Sequence, residues 1–278
     1  MSKIKNLIVG GCSFTAGCGF FKTELSPTPK DYHKNVEFAH EGLKKYFEEP
    51  FTSGNMKQQI EKLMYPTLLG EKLNVKNVKN LAVGGMGYPI HTRRIFSYLL
   101  NNQDKINFNE TLVILQLTSL QRVELPTPKK DNAIHYCHIG DAGDGDTSAR
   151  EYLINHYKPY YLILKGLYEL SLFKGWCESM GIKIVFLDIL GKVGFWKGEE
   201  IHMGQTPATI NNHQYSMYHD YIRYPSIKDI VSSWNVVTIE TKGYRFSDNG
   251  YHDDAHFVPE AHEDIAEKMY IELQKLLK

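Results

Sequence analysis

Near its C-terminus the sequence reads GYHDDAHFVPEAH, with Asp253 and His256 three residues apart. A single turn of chain brings residues at that spacing onto one side. A carboxylate beside an imidazole accepts its Nδ1–H, fixes the tautomer and favours the imidazolium. The other ring nitrogen is then free to take a proton. At the opposite end, IKNLIVGGCSFTAGCG runs from Ile4 to Gly19 and places Ser13 just past a short apolar run, among small residues. A serine hydroxyl is a poor nucleophile until a neighbouring base removes its proton. Ser13, His256 and Asp253 are therefore the parts of a nucleophile, a base and an orienting carboxylate, provided that the fold joins the two ends of the chain.

Each part also has a plainer role. Serine after a strand often caps the helix that follows. Cys12 is a second nucleophile candidate, because a thiol at a helix N-terminus can have a lowered pKa; strand alternation, however, points its side chain away from that of Ser13. His252, His256 and His262, with Asp253 and Asp254, are metal-ligating types whose spacing matches no common zinc pattern. Asp141, Asp144 and Asp146 in GDAGDGD miss the EF-hand calcium spacing and read as a solvated loop. The glycines of Gly84-Gly85-Met86-Gly87 fit a tight turn or a phosphate cradle. No GxxxxGK[ST] occurs, no GxGxxG opens a helix, and Thr15 stands where a GxSxG elbow needs its last glycine. No metal and no organic cofactor is expected.

These residues need a scaffold. Five β-like runs cover residues 4–9, 78–83, 111–118, 182–189 and 236–240. LIVGG, TLVILQLT and IKIVFLDI are near-continuous apolar stretches, the pattern of parallel strands covered on both faces. Helical patterns fill the intervals: 56–73 with Pro66 as a kink or break, 90–102, 150–181 with Gly181 as a stop, and a last helix opened by Pro259. In that last helix Ile265, Met269, Leu273 and Leu276 form a stripe for the sheet. Strands alternating with helices predict a three-layer α/β/α sandwich on a five-stranded parallel sheet. Ligands bind such sheets outside the carboxyl ends of the strands. Ser13, Gly84–Gly87 and Thr118–Ser119 each follow a strand, so all three are expected along one edge. The alternation fits poorly at about 20–55, 124–149 and 191–233, which read as insertions into one domain spanning 1–278.

The blocks GGCSFTAG, NLAVGGMG and DDAHFVPEAH together resemble those of the SGNH (GDSL-type) hydrolase superfamily, in that family's order, with Cys12 where aspartate is usual. The resemblance implies the flavodoxin-like architecture of that family. It implies Ser13 as nucleophile, Asp253 and His256 as the catalytic pair, and His262 as the later, normally non-catalytic histidine. It also implies an oxyanion hole in which the Ser13 and Gly85 amides take part. One block departs: LQLTSLQR puts Leu120 where the family's third-block asparagine donates to the oxyanion. Thr118, Ser119 or Gln121 is left to replace it. Arg122 is a candidate for binding a substrate carboxylate, phosphate or sulfate, with a structural salt bridge as its plainer role.

Composition narrows the remaining classes. Lys+Arg and Asp+Glu both number 32, so no basic excess points to nucleic acid. Cys12, Cys18, Cys137 and Cys177 show no CxxC pairing and read as free thiols of a reducing compartment. No apolar run is long enough for a secretory leader or a membrane span, so a cytoplasmic protein is expected. The 18 tyrosines, with Trp196 and Trp234 in or near the third insertion, are candidates for a sugar-stacking surface as well as for packing. The expected function is cleavage of a small ester, such as an O-acetyl group on a carbohydrate or other small molecule. A non-catalytic glycan- or protein-binding module on the same fold and an acyltransferase are the alternatives. The oligomeric state is open.

Overall fold

The computed structural model describes residues 4–12, 15–16, 61–83, 87–118, 123–128, 134–139, 159–189, 232–239 and 259–277. The near-continuous apolar runs form the centre of a parallel sheet, because only strands covered on both faces can bury every residue. β1 (Asn6–Gly10) and β3 (Thr111–Gln116) are buried throughout, and β6 (Lys183–Asp188) from its second residue onward. β2 (Asn77–Asn80) and β7 (Val236–Thr238) are the edges, giving the order β2-β1-β3-β6-β7. All four pairings are parallel, with Gly10 opposite Leu115 and Leu115 opposite Phe186. The five expected strands are the five of this sheet, with shifted ends: β1 starts two residues late and runs on to Gly10, β2 starts one residue early and stops three short, and β3, β6 and β7 are trimmed by one or two residues at an end.

Helices cover both faces, so the three-layer sandwich holds. α2 (Tyr88–Asn101) and α3 (Pro159–Ser179) pack on one face. There Ile95, Leu99, Leu167, Leu170 and Phe173 meet Ile8, Val113, Leu115, Ile184 and Phe186. α1 (Tyr65–Lys72) and α4 (Pro259–Leu276) pack on the other. There Tyr65, Leu69, Ile265, Met269 and Leu273 meet Leu7, Val9, Leu112, Ile114 and Val185. Full burial of each such side chain stabilises the fold by about 1.5–3 kcal/mol.

Local chemistry sets the helix ends. Pro66 sits in the first turn of α1, whose N-cap is Met64; residues 61–63 are helical before that bend, so Pro66 does divide the 56–73 pattern. α3 stops at Ser179, and Gly181 takes φ +77, with Ile182 N–H donating to the Cys177 carbonyl (2.8 Å). This is the left-handed stop that glycine accommodates without a Cβ penalty. The α4 stripe needs one correction. Ile265, Met269 and Leu273 are buried, but Leu276 is 44% exposed, and Leu277 packs against the cluster instead. A spacing of four keeps to the face here, whereas the step of three to Leu276 rotates off it.

The segment read as a turn-rich insertion from residue 124 contains a two-stranded antiparallel ribbon, β4 (Val123–Pro128) with β5 (Ile134–Ile139). Pro126 and Pro128 argue against a central strand, but a lone ribbon has open edges where a missing N–H costs nothing. Among the described residues no helix is long and apolar enough to cross a membrane. Cys12 and Cys177 are both buried. The segments 20–55 and 191–233 lie outside the described residues, except for the last two positions of the second.

Candidate functional site

The carboxyl edge of the sheet is where the sequence places its chemistry, and backbone pairing continues past the strand ends there. Leu81 N–H donates to the Val9 carbonyl (2.7 Å) and Val83 N–H to that of Gly11 (2.9 Å). Val83, the residue before the glycine cluster in sequence, is thus carried alongside Gly11, two before Ser13. Leu117 N–H donates to the Leu187 carbonyl (2.8 Å), continuing β3 towards Thr118. Ala16 N–H donates to the Cys12 carbonyl (2.9 Å), the spacing of one helical turn.

A buried polar cluster ties these ends together. Gln116, the last residue of β3, is 1% exposed. Its Oε1 accepts from the backbone N–H of Cys12 (3.1 Å) and from the Thr15 hydroxyl (2.5 Å). Its Nε2 donates to Cys12 Sγ (3.2 Å). Thr15 has one hydroxyl proton and gives it to Gln116, so the 3.1 Å contact with Tyr65 runs from the phenol O–H to Thr15 Oγ1. Asn80 Nδ2 holds the Thr15 carbonyl (2.9 Å), while Asn80 Oδ1 accepts from Ala82 N–H (3.0 Å). Gly11 leaves the room this requires: a Cβ there would lie 2.6 Å from both Gln116 Oε1 and Thr15 Oγ1.

The cluster reaches the end of the chain through Tyr65. The Tyr65 N–H, one of the orphan donors that begin α1, donates to His262 Nδ1 (3.2 Å). An amide can only donate, so His262 Nδ1 carries no proton and the ring is the Nε2–H tautomer. The two rings also stack, with centroids 6.0 Å apart. His262 therefore caps α1 from α4. Burial drives the Tyr65 phenol well above its ordinary pKa. It remains a neutral donor at any physiological pH.

Of the residues expected to do chemistry, Ser13, Gly85, Ser119, Arg122, Asp253 and His256 lie outside the described residues, as do Gln121, Trp196 and the aspartates of GDAGDGD. Thr118 is described. It is 5% exposed, and its Oγ1 has no hydrogen-bond partner among the described residues. Trp234 is buried at 7%, stacks on Phe186 at 4.3 Å and donates Nε1–H to Ser171 (3.2 Å), so it packs rather than lining a sugar site. Cys12 points at Gln116. Gln116, Thr15, Tyr65 and Asn80 were not singled out by the sequence reading. The available signal was a lone glutamine inside the otherwise apolar TLVILQLT.

No protein-family model matches the chain, and no curated protein sequence matches it. Solved structures do resemble it. One belongs to a carbohydrate esterase whose active site displays divergent catalytic and non-catalytic binding functions, with TM-score 0.46 and 14% identity over 98% of this chain and 68% of that one. TesA gives TM-score 0.43 and 12% identity over 98% of this chain and 99% of its own. A candidate SGNH hydrolase from Slackia heliotrinireducens gives TM-score 0.38 and 11% identity over 97% and 99%.

Proposed function

We propose that this chain is a serine ester hydrolase of the SGNH type, with Ser13 as nucleophile, His256 as general base and acid, and Asp253 orienting His256. The observation that carries the reading is the bridge from Thr15 through Tyr65 to His262. Thr15 follows Ser13 by two residues, and His262 follows His256 by six. The described flanks of the two candidate blocks therefore meet through one tyrosine, although they stand at opposite ends of the sequence.

The chemistry is a two-step acyl transfer. His256 takes the hydroxyl proton as Ser13 Oγ attacks the ester carbonyl, whose electron pair moves onto oxygen. The Ser13 and Gly85 amides hold that oxyanion, together with a hydroxyl from the end of the third strand. Thr118 suits this last role, since its buried hydroxyl has no partner among the described residues; Ser119 is the neighbouring candidate. Collapse expels the alcohol, which takes the proton from His256. Water then attacks the acyl-serine by the same route in reverse. Absence of a long apolar groove in the sequence favours a small acyl group such as acetyl, carried on a carbohydrate or similar alcohol, with Arg122 available for an anionic substituent.

p-Nitrophenyl acetate turnover by wild type, Ser13→Ala and His256→Ala tests this reading, together with fluorophosphonate labelling mapped to a residue. Turnover lost in both variants and a label on Ser13 are expected. Equal rates in all three proteins would remove the hydrolase. Leu120 at the third-block asparagine position favours a second reading, a non-catalytic binding module on the same fold. Ligand retention in Ser13→Ala with no turnover in wild type would establish that reading instead. Added alcohol acceptors that divert the acyl group from water would identify a transferase.

A further inference from the structure

We infer that Gln116 is a positioning residue for the nucleophile loop, holding Cys12 and Thr15 so as to fix the geometry in which Ser13 reacts. This rests on the serine-hydrolase reading above. On this face of the sheet β3 offers Leu112 and Ile114 to the core, and a third apolar residue would fill the layer without desolvating an amide. The chain buries a glutamine instead and meets its hydrogen-bonding groups from a single short stretch: Cys12 N–H, Thr15 Oγ1–H and Cys12 Sγ. Those contacts grip residues on both sides of the Ser13–Phe14 pair. The amide has little freedom to turn elsewhere, since Gly11 presses its backbone against it, leaving a Cβ no room. A glutamine-independent hold on Thr15 comes from Asn80 and Tyr65.

The test is Gln116→Leu beside Gln116→Glu, read by steady-state kinetics on p-nitrophenyl acetate and by hydrogen exchange at the Cys12 amide. Leucine fills the volume but leaves Cys12 N–H and the Thr15 hydroxyl without their acceptor. Glutamate keeps an acceptor oxygen in place and serves as the conservative rescue. Displacing a reacting group by about an ångström costs on the order of 10²-fold. Gln116→Leu is therefore expected to lose about that factor in kcat with KM little changed, and to lose protection at Cys12. Gln116→Glu is expected to recover most of both. If Gln116→Leu fails to fold, Gly11→Ala, which pushes the amide aside with glutamine retained, is expected to give the same kcat-selective loss. Ser13-dependent turnover that survives these changes, or unaltered Cys12 protection in Gln116→Leu, overturns the inference alone. A wild type with no Ser13-dependent turnover overturns the hydrolase reading and this inference with it.

Discussion

On the α2/α3 face the side chains of β3 stay apolar to the end of the strand and beyond: Val113, Leu115 and Leu117 all join one cluster. On the α1/α4 face Leu112 and Ile114 are followed by Gln116, and the residues gathered around it are Thr15, Tyr65 and His262. The glycines before Ser13 divide the same way. A Cβ on Gly10 would meet Ile95 and Leu115, whereas one on Gly11 would meet Gln116 and Thr15. Apolar contact is non-directional and tolerates small shifts, but a buried amide is stable only when its partners are in place. The first face supplies adhesion. The second fixes a geometry, and does so with bonds between residues 50, 101, 104 and 197 apart in sequence. If the site lies where proposed, function should be sensitive to the second face at its carboxyl edge and indifferent to the first.

The contrast can be broken most forcefully at the nucleophile. Ser13→Ala should lower turnover by roughly 10⁴-fold or more with no loss of thermal stability; a stable, fully active variant would leave the second face with no catalytic claim. Ile95→Ala attacks the first face at a wholly buried position against Gly10. It should cost about 2–5 kcal/mol in denaturant unfolding, with kcat per folded molecule unchanged. A kcat loss there would erase the distinction between the faces. Thr118→Val sharpens it by separating the two quantities. As the third-strand oxyanion donor, Thr118 should cost about 10²–10³-fold in kcat when its hydroxyl is removed. Stability should hold or rise, because a buried hydroxyl with no partner among the described residues is replaced by a methyl of the same shape. Unchanged kcat would pass the role to Ser119.

The scaffold was legible because its signals are local and repeated. Three apolar runs too continuous for a one-sided sheet fixed the central strands, and Gly181 and Pro66 marked breaks that the structure shows. The β4–β5 ribbon escaped because Pro126 and Pro128 suppress the strand signal while leaving a two-stranded pairing intact. The candidate site was legible only as residue types: Ser13 at one end, Asp253 and His256 at the other. The tie between Thr15 and His262, in the described flanks of these blocks, was not legible. Tyr65 reads as one more aromatic on a helix, and nothing in its neighbours announces that its amide meets His262 and its phenol Thr15. Periodicity reports which face a side chain takes, not which distant partner it finds there. Gln116 was the exception that could have been noticed, since a glutamine at a strand's buried end must have its amide satisfied.

The smallest effect expected is also the one that reads the network most directly. Tyr65→Phe removes the phenol and leaves the ring stacked on His262 and the backbone bond intact. At neutral pH the loss of one neutral hydrogen bond should cost about 0.5–1.5 kcal/mol, with kcat affected far less than by Gln116→Leu, because Thr15 keeps its bond to Gln116. Alkaline pH gives a second readout. Burial raises the Tyr65 phenol above its ordinary value of about 10, so the unfolded chain ionises first. The stability this group contributes is complete below pH ~10 and drains away as pH rises beyond it. On the opposite face Cys177 behaves alike, its thiol pushed up by burial to about 12 from an ordinary 9.0, so its contribution is lost from about pH 9 upward. Wild type should therefore lose stability in two overlapping stages above pH 9. Cys177→Ala should flatten the earlier stage and Tyr65→Phe the later, as measured by unfolding midpoints across that range. A Tyr65→Phe profile superimposable on wild type above pH 10 would mean that the phenol is not sealed within the network, and the tie between the two ends of the chain would lose its middle link.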